Sequence, residues 1–210
     1  MLKANIIRPS SSPWAAPLIL IPKPDGSKRF CVDFRKLNAV TIPDPFPVPR
    51  TDDILDTFND VEWYSNFDLK SGYWQEEMAE ESIPLTAFSS ANGHWEFLRI
   101  AFGLKNAPAD FSRLMFRVLG NLSFVQIYFD DFYIASKSAE DHLNHLTIVI
   151  EKLKEANLKI NFKKCNFFKK SIKILGHIVS KNNLMMDPEK IDVVKYWQVP
   201  NKVVHVQQFI

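Results

Sequence analysis

Near the middle of the chain, the run Phe124-Val-Gln-Ile-Tyr-Phe-Asp-Asp-Phe-Tyr-Ile-Ala135 sets two adjacent carboxylates between two apolar, aromatic-rich flanks. The pattern reads as strand, tight turn, strand, with the turn made of Asp130 and Asp131. Such a turn is unfavourable in isolation. It lacks the glycine that supplies positive φ in a two-residue hairpin, and it places like charges side by side. For a bare pair of acids in a turn, simple solvation is the leading reading. A third carboxylate changes the balance: Asp68 ends another strand-like run, Trp63-Tyr-Ser-Asn-Phe67. If these strand ends lie together, three carboxylates converge. A cluster of that kind repels itself unless divalent cations neutralise it, and hard oxygen ligands suit magnesium.

The 210 residues suffice for one large or two small domains with a core, and 46% hydrophobic with 24% charged residues is the balance of a folded chain. No stretch of about 18 apolar residues predicts a membrane span, so no membrane partner is expected. The N-terminal Met1-Leu-Lys-Ala-Asn-Ile-Ile-Arg-Pro9 has no apolar segment before a cleavage site, which predicts no secretory signal. Cys31 and Cys165 form no metal-ligand spacing and are expected to be reduced thiols of an intracellular protein. The net charge of +2 says little, but its distribution is uneven. Asp52 to Glu81 contains ten acids and one base, Lys70, whereas Lys152 to Lys173 holds eight lysines beside Glu151 and Glu155. A lysine run is either a solvated face or, next to a metal-binding acidic centre, a track for a phosphate backbone.

Taken in order, Met1 to Ile7 reads as the end of a helix. Leu18–Ile21 and Arg29–Val32 read as strands joined by the turn Pro24-Asp25-Gly26-Ser27. Lys23, Lys28 and Arg29 crowd that hairpin, as solubilising charge or as a mobile clamp for a polyanion. Thr41 to Pro49, with four prolines, is expected to be irregular, and Thr51 to cap a short helix. Asn92-Gly93 is a hairpin turn between strands. Asn106 and Pro108 open a helix with Phe111, Leu114, Met115, Val118 and Leu119 on its core face. Ser138-Ala-Glu-Asp141 opens another, with Leu143, Leu146, Val149, Ile150 and Leu153 inward; its His142 and His145 read as surface or packing residues. Asp187-Pro188 opens a third, with Ile191, Val194 and Trp197 inward, and Asn201 caps one more. Strands and helices mix without strict βαβ alternation, which predicts an α+β fold.

Six blocks in this order resemble the reverse transcriptase domain of gypsy-like LTR-retrotransposon and retroviral Pol polyproteins. They are Ile7-Arg-Pro-Ser-x-Ser-Pro-Trp-Ala15, Pro24-Asp-Gly-Ser-x-Arg-Phe-Cys-Val-Asp-Phe-Arg-x-Leu-Asn38, Phe67-Asp-Leu-x-Ser-Gly-Tyr73, Phe102-Gly-Leu-x-Asn-Ala-Pro108, Tyr128-x-Asp-Asp131 and Leu175-Gly-His177. The resemblance implies a right-hand polymerase fold with fingers, palm and only the beginning of a thumb. Fingers would span residues 1–42 and 77–106, palm 43–76 and 107–184, and residues 185–210 would start the thumb or connection.

It also implies an RNA-directed DNA polymerase that adds deoxynucleotides to a primer 3′-hydroxyl on an RNA or DNA template. Asp68, Asp130 and Asp131 would be the catalytic and metal carboxylates for two magnesium ions, with manganese as an alternative. One ion would activate the 3′-hydroxyl, and the other would hold the triphosphate in an in-line displacement. Lys23 and Arg29 would contact the triphosphate, and Leu69 would lie at the nucleotide. Tyr73 would exclude a 2′-hydroxyl, and Phe102 and Gly103 would meet the nucleotide or template. Tyr128, Phe129, Leu175, Gly176 and His177 would lie by the primer. Protease, ribonuclease H and integrase would be companions in the parent polyprotein, which would work in the cytoplasm or a virus-like particle.

Several residues depart from the family pattern: Glu76 replaces an apolar residue, Leu85 a lysine, Ala101 a proline, and Phe129, Phe132 and Tyr133 smaller aliphatics. They keep open a second hypothesis, a truncated or decaying remnant that binds nucleic acid without turnover. A two-metal hydrolase would also use clustered acids, but it leaves the Tyr73 block and the basic hairpin unexplained.

Overall fold

The computed structural model describes residues 1–22, 26, 28–47, 49–129, 131–197, 199, 202 and 204, with only the backbone of Pro22, Lys28, Arg29, Val193 and Val194. Lys23, most of the turn after it, Asp130 and Asn201 lie outside the described residues.

The centre is a four-stranded antiparallel sheet built from β4 (Trp63–Asp68), β7 (Val125–Tyr128), β8 (Asp131–Ser136) and β9 (Asn166–Lys169), in the order β7-β8-β4-β9. Strand alternation divides its side chains between two cores. On one face Phe67, Phe132 and Ile134 pack against α3 (Ala107–Leu119) and α4 (Ala139–Glu155) through Phe111, Met115, Leu119, Leu146, Val149 and Leu153. Phe67 and Phe132, directly paired across the strands, stack at 4.9 Å. On the other face Tyr64, Tyr133 and Ala135 meet Ile54, Leu55 and Phe58, from and just after α2 (Thr51–Asp56), and Ile172, Ile174 and Val179. The last three belong to a second sheet of β10 (Ser171–Ile174), β11 (His177–Ser180) and β12 (Asn183–Met186).

A third sheet joins β1 (Ile7–Pro9), β6 (Gly93–Phe97) and β5 (Phe88–Ser90), and beside it β2 (Leu18–Pro22) pairs with β3 (Lys28–Val32). Ile7, Val32, Phe34, Phe88 and Phe97 share its core, and the short helix α1 (Arg35–Val40) follows Phe34. The described residues of the proline segment have no regular structure, and they are tied down by α3. Arg113 Nη2 donates to both Asp44 carboxylate oxygens, and Asn106 bridges the Ile42 carbonyl and the Asp44 amide. Asn106 thus precedes α3 as expected, but its side chain holds the proline segment and caps nothing.

Several expectations need correction. Met1 to Ile7 is one turn of 3-10 helix, Leu2–Ala4, followed by strand β1, whose pairing with β6 overrides local propensity. Arg50, not Thr51, precedes α2. Ser90 pairs with Gly93, so the hairpin loop is Ala91-Asn92, one residue earlier than the Asn-Gly signal. Along α4 the buried stripe is His142, Leu146, Val149 and Leu153, while Leu143 and Ile150 are exposed. Leu146, Val149 and Leu153 face inward as expected, and the stripe's remaining member is His142, which Ser65 and Ser136 satisfy. Ser138 does cap α4, accepting from the Asp141 amide. In α5 (Pro188–Lys195) Ile191 is exposed, and Trp197, just beyond it, is too. The neighbouring strand β12 is itself exposed along its length and offers that helix no core to face. Among the described residues no helix is long and apolar enough to cross a membrane.

Candidate active site

The two inner strands of the central sheet end together. Pairing of β4 with β8 runs from Trp63 opposite Ser136 to Asp68 opposite Asp131. Residues in register share a face, with Cβ atoms about 5 Å apart, so the two carboxylates lie side by side. Tyr128 pairs with Asp131 across β7 and β8, so Asp131 belongs to β8 and not, as expected, to the turn, while Phe129 lies in the turn. Both faces of β8 are buried, Phe132 and Ile134 towards α3 and α4 and Tyr133 and Ala135 towards α2 and β10, so a slip of one residue would exchange the side chains of two differently shaped cores. Phe129 carries the positive φ, 53°. That is a rare conformation for a bulky side chain, and it costs about 1–3 kcal/mol.

Asp68 is gripped by the turn that follows α4. The Asn161 amide donates to the Asp68 carbonyl at 2.8 Å, and Asn161 Nδ2 donates to Oδ1 at 3.1 Å. Lys164 Nζ donates to Oδ2 at 3.2 Å, and the Asp68 amide donates to Cys165 Sγ at 3.4 Å. Burial pushes the Cys165 thiol pKa up, so it serves as a neutral contact. Gln75 ties the next turn to the same region. Its Nε2 donates to the carbonyls of Lys70 and Lys159, and its Oε1 accepts from the Lys159 amide at 2.6 Å.

Tyr73 lies in a 3-10 turn, Gly72–Gln75, with its ring 5.0 Å from Phe102 and 5.4 Å from Phe111. Gly72 permits this approach, since a Cβ there would stand 2.8 Å from the Phe111 ring. Phe102 is 47% exposed, and Gly103 follows it at φ 92°. The structure therefore brings Tyr73, Phe102 and Gly103 into one group. Leu69 is 5% exposed and sits in the core, so only its backbone, bridged to Ile160, is at the strand end.

Leu175 and Gly176, both at positive φ, form the two-residue loop between β10 and β11, as a primed hairpin turn requires. Leu175 and Tyr128 pack on the same cluster, with Tyr133 and Ile174. His177 Nδ1 is buried with no hydrogen-bond partner among the described residues. Arg29 is placed only by its backbone, paired with Ile21. Of the lysine run, Lys170 is bound to Glu62 and lies over the Trp63 ring, and Lys173 is bound to Asp187 and Glu189. Part of that charge is therefore used inside the protein. Nothing in the sequence marks Asn161, Lys164 or Gln75, or gives Cys165 more than the reading of a reduced thiol, as partners of this corner.

Among the described residues no three His, Cys, Asp or Glu side chains are grouped to hold a metal. The Asp68–Asp131 pair supplies two hard oxygen donors on adjacent strand ends, which fits a divalent cation of the magnesium type.

Residues 21–179 match the family model described as reverse transcriptase (RNA-dependent DNA polymerase). The chain belongs to the reverse transcriptase family. It is 42% identical over its whole length to the retrovirus-related Pol polyprotein from transposon 297 of Drosophila melanogaster, covering 20% of that protein. It is 39% identical to that from transposon gypsy of the same organism, covering 21%. Against the enzymatic polyprotein of cauliflower mosaic virus (strain CM-1841) identity is 38%, over 84% of this chain and 27% of the relative. The chain thus spans about a fifth to a quarter of the relatives' length. Among solved structures, a foamy viral protease-reverse transcriptase in complex with double-stranded DNA superimposes with a TM-score of 0.90 at 25% identity, over 99% of this chain and 37% of that one. The fold is accordingly the α+β right-hand polymerase fold of reverse transcriptases, a family that generally depends on divalent metal.

Proposed function

We propose that the chain is the polymerase core of a retrotransposon Pol polyprotein and adds deoxynucleotides to a primer 3′-hydroxyl as an RNA-directed DNA polymerase. The observation that carries this is the register that sets Asp68 opposite Asp131 beside the strained Phe129 turn. Two magnesium ions, or manganese, held by Asp68, Asp131 and Asp130 would activate the hydroxyl and neutralise the triphosphate and leaving pyrophosphate.

The chain's own residues position the substrates, which is most of the work in phosphoryl transfer. Asn161 and Lys164 fix both oxygens of Asp68 before substrate arrives. The Tyr73 ring, backed by Phe111 and Phe102, is rigid enough to reject a 2′-hydroxyl by collision. The exposed face of Phe102 packs on the nucleotide or template, with Gly103 admitting close backbone approach. Lys23 and Arg29 neutralise phosphates. Tyr128, Phe129 and the Leu175-Gly176-His177 loop support the primer end. The template–primer is read by backbone and A-like shape, not by base sequence. Two of the foamy viral neighbours are complexes with double-stranded DNA and with an RNA/DNA hybrid, which supports this partner class.

In this assignment fingers are residues 1–42 and 77–106, palm 43–76 and 107–184, and the thumb begins after 184. Protease, ribonuclease H and integrase are the companions in the parent, working in the cytoplasm or a virus-like particle. Primer extension on an RNA template with deoxynucleotides and magnesium tests the proposal. Extension abolished by Asp131→Asn is the expected result. Salt-dependent binding of the hybrid without extension would replace it with the non-catalytic, nucleic-acid-binding reading.

A further inference from the structure

The turn that grips Asp68 also delivers a positive charge to it. Lys164 Nζ rests on Oδ2, while Asn161 holds Oδ1. Two carboxylates directly opposite on neighbouring strands repel each other, and the ammonium offsets that repulsion when no metal is bound. It occupies an oxygen that a divalent cation would need. Its side chain is 68% exposed, against 23% for Asp68, so it can leave into water, and exposed pairs of this kind are weak. Other lysines of the run are tied down elsewhere, Lys170 on Glu62 and Lys173 on Asp187 and Glu189. Lys163, one residue away, is exposed.

We propose that Lys164 is a built-in counter-cation for Asp68, which neutralises the carboxylate in the metal-free protein and is displaced when the metal binds. This rests on the assignment of Asp68 and Asp131 as metal carboxylates. The competition sets the metal concentration at which the site fills, and it keeps the paired strand ends together while the site is empty. Arginine at 164 would hold the carboxylate in a fork and compete at least as well. A neutral side chain of similar length would not compete.

Manganese titration of the full chain, followed by electron paramagnetic resonance without nucleic acid or nucleotide, reads this directly. Lys164→Met is expected to bind manganese roughly two- to fivefold more tightly than the unmodified chain. Lys164→Arg should bind as weakly or more weakly, and Lys163→Met should stay within about 1.5-fold, because its charge is screened and not in contact. The metal-free melting temperature of Lys164→Met should fall and recover with manganese. Equal shifts in Lys163→Met and Lys164→Met, or no shift in Lys164→Met while Asp131→Asn still abolishes binding, would overturn the counter-cation alone. Manganese binding unaffected by Asp131→Asn, or absent from every chain, would remove the metal-carboxylate assignment and this inference with it.

Discussion

Ser65 and Asp68 lie three residues apart on one strand, and the protein treats their polar groups in opposite ways. Ser65 is fully buried, its hydroxyl 2.7 Å from His142 Nε2 and accepting from the Phe168 amide at 3.1 Å. His142 is equally buried, and its Nδ1 lies 2.8 Å from the Ser136 hydroxyl, which also reaches His145 Nδ1. Burial pushes the His142 pKa down to about 4 and that of His145 in the same direction, so this network is neutral at neutral pH. At the end of the same strand, Asp68 and Asp131 stand side by side, partly exposed, with an ammonium on Asp68. The sheet interior keeps polar groups only where they are neutral and hydrogen-bonded, because burying a charge costs far more than burying a satisfied dipole. The two carboxylates that the proposed function assigns to metal stand instead at the strand ends.

The sharpest break of this contrast is Asp68→Asn. Primer extension should fall by at least about a hundredfold, the scale seen when one preorganised electrostatic group is lost. Stability should change by no more than about 1 kcal/mol, since losing an exposed ion pair is offset by relieving the repulsion from Asp131. Extension within tenfold of the unmodified chain would show that the carboxylate corner is not the reacting centre. His142→Leu should do the reverse. It leaves the Ser65 hydroxyl without its ring partner and Ser136 with His145 alone, and should cost about 2–4 kcal/mol in a urea melt. Turnover per folded molecule should be unchanged.

A pH series sharpens the same distinction. His142 has a folded pKa of about 4, below the ordinary 6.5. As pH falls, the unfolded chain therefore takes up the proton first. The loss of stability is absent above pH 6.5, grows as pH falls towards 4, and reaches up to about 3 kcal/mol. Glu76 and Asp110, whose pKa values burial raises, act with the opposite sign. The decisive quantity is thus the difference between the unmodified chain and His142→Leu. A difference that does not vary with pH would mean that the ring is not held neutral.

The two sides of this comparison were unequally legible in the sequence. The carboxylates were plain because each ends an aromatic, alternating strand, and the ordered blocks around them are local. The sequence pattern puts Asp131 in the turn, whereas the tertiary register pairs it in β8 and leaves Phe129, not a glycine, at positive φ. On α4 the hydrophobic pattern suggested Leu143 and Ile150 as core, whereas the polar His142 is buried because Ser65 and Ser136 satisfy it. Partners of Asp68 were invisible for a different reason. Asn161 and Lys164 are 93 and 96 residues away in sequence, and nothing in a lysine run marks which member will reach back.

The smallest expected effect belongs to Asn161, which joins the strand end to the turn after α4. Its amide bond to the Asp68 carbonyl survives truncation, whereas its side-chain bond to Oδ1 does not. Asn161→Ala should therefore cost about 1 kcal/mol of stability, the net value of one part-buried hydrogen bond. Losing that bond also frees one Asp68 oxygen to rotate. If the grip of this turn serves positioning, extension should drop several-fold in kcat with little change in KM for the nucleotide, because the reacting geometry and not substrate affinity is loosened. Asn161→Asp, which keeps the shape but replaces the donor with a third acceptor beside Asp68, should be worse than alanine in metal-free stability and should recover on adding manganese. A variant pair that behaves identically with and without the metal would assign Asn161 to the fold alone and leave Lys164 as the group that answers the Asp68 charge.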